Sequence, residues 1–177
     1  GELSAKHIES LKIYEIESVV IAFDNDAKDS KGEIGSLEKA KKASDLLEKN
    51  GIKAFILPPH LLSPHKDPDE YVKANGAEAL KKLLKENAQA RVRWLPSYFS
   101  YKHDLETDIG RFSALGSASK TYAQLDDALS KNIFKQEIEA IFKLNPSESE
   151  DILEKALKEQ KSHDEAEKYK LSLEEAK

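Results

Sequence analysis

The sequence predicts an α/β protein: a parallel sheet with flanking helices, followed by a region of helices alone. Three observations carry this prediction. Val19-Val20-Ile21-Ala22-Phe23 is an apolar run of strand length, rich in β-branched residues. Ile52 to Leu57 is a second such run. Between them Leu37, Ala40, Ala43, Leu46 and Leu47 recur at helical spacing. A strand, a helix and a strand make a βαβ unit, whose strands run parallel with a right-handed crossover.

The elements follow in order. Residues 1–16 read as a short helix, with Ser4 as N-cap and Ile8 and Leu11 on an apolar face. The first strand spans 18–23. A polar loop, 27–35, leads to the central helix from Ser36, which Asn50-Gly51 closes because glycine accepts the left-handed conformation past a helix end. Pro58-Pro59 stops the second strand. Asp67 then suits an N-cap and Pro68 the first helical position, opening a short helix that ends at Asn75-Gly76. A further helix from Ala77 to Glu86 turns Leu80, Leu83 and Leu84 inward. After Ala90 no strand is expected. Helices are predicted over 107–115, 122–130 and 132–142. Another opens at Ser147, with Glu150 completing a capping box, and 161–177 is so charged that it is helical only in context.

Composition narrows the function classes. Of 177 residues 39% are hydrophobic and 34% charged, which favours many solvated helix faces over one large core. No run spans a bilayer and no apolar leader opens the chain, so a cytoplasmic protein without membrane contact is expected. The absence of cysteine excludes disulfides and thiolate metal sites within these residues. The net charge of −5 falls on residues 96–177, the first 95 being balanced, so neither part is a basic nucleic-acid footprint. With no methionine and a start at Gly1-Glu2-Leu3, the chain is expected to be a piece of a longer protein.

The candidate site is a pair of acidic clusters. Asp24-Asn25-Asp26 follows the first strand, and Lys66-Asp67-Pro68-Asp69-Glu70 follows the loop after the second. Ligands of α/β folds bind beyond the carboxyl ends of parallel strands, so both clusters are expected at one end of the sheet. Converging carboxylates repel one another and their pKa values rise, unless a divalent cation joins them. Hard oxygen donors suit Mg²⁺, which polarises phosphate oxygens and activates an attacking hydroxyl. The plainer reading of Asp24 and Asp26 is a turn cap.

The apolar strand with Phe23-Asp24-Asn25-Asp26-Ala27, the helix ending at Asn50-Gly51, and Lys66-Asp67-Pro68-Asp69-Glu70-Tyr71-Val72 together resemble the Toprim domain of bacterial replicative primases. Primase-like proteins that join this domain to an upstream zinc-binding module resemble the chain most. The resemblance covers residues 1–90. It implies a partial Toprim domain there, with a Rossmann-like parallel sheet lacking its first strand, and an α-helical C-terminal region over 91–177. It further implies that Asp24, Asp26 and Asp67 are catalytic metal ligands for Mg²⁺ or Mn²⁺, that Asp69 is a supporting acid, and that Lys66 neutralises phosphate. The implied activity is that of a DNA primase, a nucleotidyltransferase joining nucleoside triphosphates into RNA primers on single-stranded DNA, with a replicative helicase as a further partner. Two departures stand out. The glutamate that Toprim sites also use would precede residue 1, so the fragment is expected to be incomplete and inactive alone. Many primases also have glycine at the position of Lys28, and segment 30–35 is longer than usual.

Other readings stay open. A different Toprim chemistry, nuclease or topoisomerase, is one. A haloacid-dehalogenase-type phosphatase also places Asp-x-Asp after a strand, with Asp126-Asp127 as its downstream acids. Residues 96–177 alone could dock a helicase. His60 and His65 lack neighbouring zinc ligands at zinc spacing, and Ser117 and Ser119 beside Gly116 read as an interhelical turn. Arg91, Arg93, Trp94, Tyr98, Phe99, Tyr101 and Lys102 mix basic and aromatic residues; they suit either base stacking or, more simply, packing. Asp108 and Arg111 are placed to pair on one helix face.

Overall fold

The computed structural model describes residues 3–25 and 35–175. The chain divides into two compact units, Gly1–Trp94 and Leu95–Lys177.

The first unit is built on a three-stranded sheet in the order β1-β2-β3. Helix α1, Ala5–Ile13, begins after Ser4, whose N–H donates to His7 Nδ1 at 3.0 Å. It buries Ile8, and the chain turns at Glu15 with φ 54. Strand β1, Ser18–Ile21, pairs in parallel with β2, Lys53–Ile56, setting Val20 beside Phe55 and Ile21 beside Ile56. Helix α2, Gly35–Lys49, crosses between them. Of the periodic set expected from the sequence, Leu37, Ala40, Ala43 and Leu47 are buried and Leu46 is half-buried. A 3₁₀ turn, Pro59–Leu62, follows β2. Helices α3, Pro68–Asn75, and α4, Ala77–Asn87, meet at Gly76, whose φ of 86 a side chain would resist. Leu80, Leu83 and Leu84 of α4 are half-buried.

Two expectations need correction. The sheet is mixed rather than parallel, because β3, Gln89–Ala90, runs antiparallel to β2 with Ala90 opposite Phe55. Two residues are too few to show a period of two, so nothing in the sequence marks this strand. Both longer strands also stop short of their apolar runs, with Ala22 and Phe23 past the end of β1 and Leu57 past the end of β2, its N–H still donating to the Ile21 carbonyl at 2.9 Å. Residues 91–102 form helix α5, Arg91–Lys102, with Pro96 inside it.

The second unit is helical. Helix α6, Asp108–Ala123, packs against α7, Ala128–Phe142, and α8, Pro146–Glu175, and α7 and α8 pack together. Two helices thus stand where three were expected over 107–142. Gly116, Ser117 and Ser119 suggested a turn, but the hydroxyls bond back into the helix. Ser117 Oγ donates to the Ser113 carbonyl at 3.0 Å and Ser119 Oγ to that of Leu115 at 2.8 Å. A serine that bonds the carbonyl four residues back is accommodated mid-helix.

The core of this unit joins small residues of α6 to large ones of α7. Ala114, Ala118, Phe134 and Ile138 are each fully buried, with Phe142 and Leu153 nearly so. Gly110 lets α6 sit against the preceding loop: a Cβ there would lie 1.8 Å from the Asp104 carbonyl oxygen. Arg111, expected to pair with Asp108, donates to the Phe142 carbonyl at 3.0 Å and so closes the end of α7. The capping box of α8 is shifted by two residues from Ser147 and Glu150. Asn145 Oδ1 accepts from Ser147 and Glu148 N–H, and Glu148 Oε2 accepts from Asn145 N–H at 2.9 Å. Beyond Gln160 the helix continues with exposed side chains over 161–172, where it was expected to be helical only in context.

Candidate functional site

β1 and β2 are parallel neighbours, so their carboxyl ends face the same way. Asp24 lies three residues beyond the end of β1 and is exposed. The next residue joins the two acidic clusters. Asn25 N–H donates to the Lys66 carbonyl at 2.6 Å, and Asn25 Nδ2 donates to the His65 carbonyl at 3.4 Å. The segment carrying Asp24 is therefore fastened to the one carrying Lys66 and Asp67. Asp26 lies outside the described residues, as does the rest of the 26–34 loop with Lys28.

Asp67 has the place its neighbours dictate. It is the N-cap of α3, extended at φ −148, and its Oδ1 accepts from Glu70 N–H at 2.7 Å. Pro68 needs no donor at the first helical position. Glu70 reaches back past the cap: its Oε2 accepts from Lys66 N–H at 3.1 Å, and its Oε1 lies 3.1 Å from Lys66 Nζ. These contacts hold the Glu70 carboxyl below its ordinary pKa, the backbone N–H of Lys66 first and its ammonium next. They also raise the Lys66 ammonium, through Glu70 first, then Asp67 and more weakly Asp24. Lys66 is thus cationic across the physiological range, and it feels both acidic clusters. Asp69 is exposed and pairs with Lys73 one turn along α3, which raises the lysine.

Among the described residues no group of three or more His, Asp or Glu is arranged to hold a metal ion. What they provide is two carboxylates, Asp24 and Asp67, on segments tied together by a backbone hydrogen bond. Both are hard oxygen donors, and the exposed Asp24 leaves room for a hydrated cation, so they fit a Mg²⁺-type ion in kind.

Sequence reasoning overlooked two contributors. Asn25 was passed over as the spacer of the acidic pair, although an amide between two acids can donate where they cannot. Glu70 was named only within the acidic run, although a glutamate three residues past an N-cap commonly reaches back toward the start of its helix.

The remaining candidates lie as follows. His65 sets its ring edge-on to Tyr71 at 5.5 Å and its Nε2 at 3.1 Å from Asn75 Nδ2. His60 lies in the 3₁₀ turn. Trp94, Tyr98 and Phe99 are 7% exposed or less, so they offer no open face for a base, whereas Tyr101 is 57% exposed. Arg91 pairs with Asp45 of α2. Asp127 caps α7 through Ser130 N–H at 2.7 Å and Asp126 precedes it; the element leading into them is helix α6, not a strand. Ser117 and Ser119 lie inside α6.

Residues 3–78 match the family model of the Toprim domain. A DNA primase of Listeria innocua is 25% identical over 128 residues, covering 72% of this chain and 20% of the relative. A DNA primase of Listeria monocytogenes matches to the same extent. The chain thus spans about a fifth of the length of these relatives. A DNA primase domain from Pseudomonas aeruginosa superposes with a TM-score of 0.53 at 20% identity, over 87% of this chain and 46% of that one. The DnaG catalytic core superposes at 0.51 and 22% identity, over 84% and 46%. At these identities the solved structures speak for the fold. The chain is an α/β protein similar to DNA primases, and its residues 3–78 match the Toprim domain.

Proposed function

We propose that this chain forms part of a DNA primase that synthesises RNA primers on single-stranded DNA from nucleoside triphosphates. Residues 1–90 act as its Toprim domain and 91–177 as a helical region. The observation that carries the reading is the hydrogen bond from Asn25 to Lys66, which ties the two acidic clusters of a Toprim domain together at one end of the sheet. Similarity to primases of Listeria supports primer synthesis over another Toprim chemistry. The Toprim match supports it over a phosphatase.

In this reading Asp24, Asp26 and Asp67 are the metal ligands, with Asp69 as a supporting acid. A Mg²⁺ or Mn²⁺ ion bound there supplies Lewis acidity to the nucleotide α-phosphate and lowers the pKa of the attacking 3′-hydroxyl. Lys66, held cationic, neutralises phosphate charge once that charge draws it from Glu70. Asp67 serves twice, as helix cap and as ligand. The protein works in the cytoplasm. Ile109 and Phe112, 81% and 77% exposed on α6, favour a second role for the helical unit, docking a replicative helicase.

The test is primer synthesis on a single-stranded template by the full-length protein. Asp24→Ala is expected to abolish it. Full primer synthesis by that variant overturns the metal role.

A further inference from the structure

We infer that Asn25 is a positioning residue, holding the Asp24 segment in register with the Asp67 segment. The inference rests on the metal-centre reading above and extends it to the side chain of Asn25, which is not among the ligands that reading names. Asp24 needs such a device: it lies beyond the last paired residue of β1 and is exposed. Asn25 supplies two hydrogen bonds to consecutive carbonyls, from its backbone N–H to Lys66 and from its side-chain amide to His65.

Those carbonyls belong to a segment that is itself fixed. His65 N–H donates to the Leu62 carbonyl at 2.9 Å. The His65 ring contacts Tyr71 and Asn75 on α3. Lys66 is bound twice by Glu70, and Asp67 caps the helix. Residues 65–67 are thus pinned along α3 from its first turn to its last. Through Asn25 the tail of β1 takes its position from that helix.

The chemistry of the side chain fits the task. An amide donates to a carbonyl, which a carboxylate cannot do. Being neutral, it orders a cluster of aspartates without adding to their mutual repulsion. Alanine at 25 keeps the backbone bond and loses only the amide's, so it isolates the side chain. Residues that orient a ligand without touching the metal typically change affinity by about tenfold or more.

The test uses the chain as it stands, with Mn²⁺ alone as probe and two readouts: Mn²⁺ affinity by water-proton relaxation, and amide hydrogen exchange. The expected result is a residue-25 amide protected from exchange in the parent chain. Asn25→Ala is expected to weaken Mn²⁺ binding about tenfold at an unchanged melting temperature, with faster exchange at residue 25. An unprotected residue-25 amide overturns the inference whatever the metal does. Parent-like Mn²⁺ affinity in Asn25→Ala, alongside weakened binding in Asp24→Asn, overturns the positioning role and leaves the metal reading standing. Parent-like affinity in Asp24→Asn and Asp67→Asn overturns the metal reading, and the positioning role with it.

Discussion

The candidate site and the core of the helical unit use their polar groups in opposite ways. In Gly1–Trp94 the acidic side chains of the candidate site lie beyond the strands, and Asp24, Lys66 and Asp69 are exposed. In Leu95–Lys177 two serines are buried and satisfied, as Ser44 is in the first unit. Ser149 is fully buried with its hydroxyl on Glu139, and Ser119 bonds its own helix. A satisfied buried polar group specifies architecture, because losing its partner leaves it desolvated without compensation. Carboxylates left in water near one another keep their coordination capacity for a ligand. Substitutions in the helical unit should therefore cost stability, and those at the sheet end should cost metal binding.

The largest effect that tests this contrast is Phe134→Ala. The ring is fully buried in the helical core, and its removal should destabilise by about 3–5 kcal/mol. Denaturant unfolding measures it, and a loss near zero would erase the distinction between the units. Gly110→Ala comes next, at about 1–3 kcal/mol, because the added methyl meets backbone that must move. At the sheet end, Asp67→Ala removes a cap and should cost about 1 kcal/mol, whereas Asp67→Asn keeps the cap almost intact. Both are expected to weaken Mn²⁺ binding, so calorimetric titration beside unfolding separates the two duties of Asp67. Asp24→Asn should change stability by less than about 0.5 kcal/mol while weakening Mn²⁺ binding; a marked loss of stability would make Asp24 a structural residue.

The smallest effect is a pH dependence. Lys135 of α7 lies 2.8 Å from Glu150 of α8, and this contact lowers the Glu150 carboxyl from 4.5 and raises the Lys135 ammonium from 10.5. A lowered carboxyl contributes stability above its unfolded value, lost as pH falls through the folded one. A raised ammonium contributes below its unfolded value, and that part is lost as pH rises through the folded one. Glu150→Gln should therefore lower the melting temperature slightly at neutral pH and converge on the parent curve below pH 4.5.

Local pattern alone determined the βαβ unit, the caps at Ser4 and Asp67, the glycine turns at 51 and 76, and the presence of two acidic clusters. Each rests on periodicity or on the conformational preference of one residue, and both act over a few positions. Tertiary structure decided what depends on distant partners. Gln89-Ala90 is a strand only because β2 offers it an edge. Asn145 rather than Ser147 caps α8, since candidate caps two residues apart are separated only by the full set of bonds each makes. Trp94, Tyr98 and Phe99 became packing residues because burial, which no local pattern states, removed their faces from solvent. The bond from Asn25 to Lys66 spans 41 positions of sequence. Nothing local requires it; the parallel strands bring its two ends together.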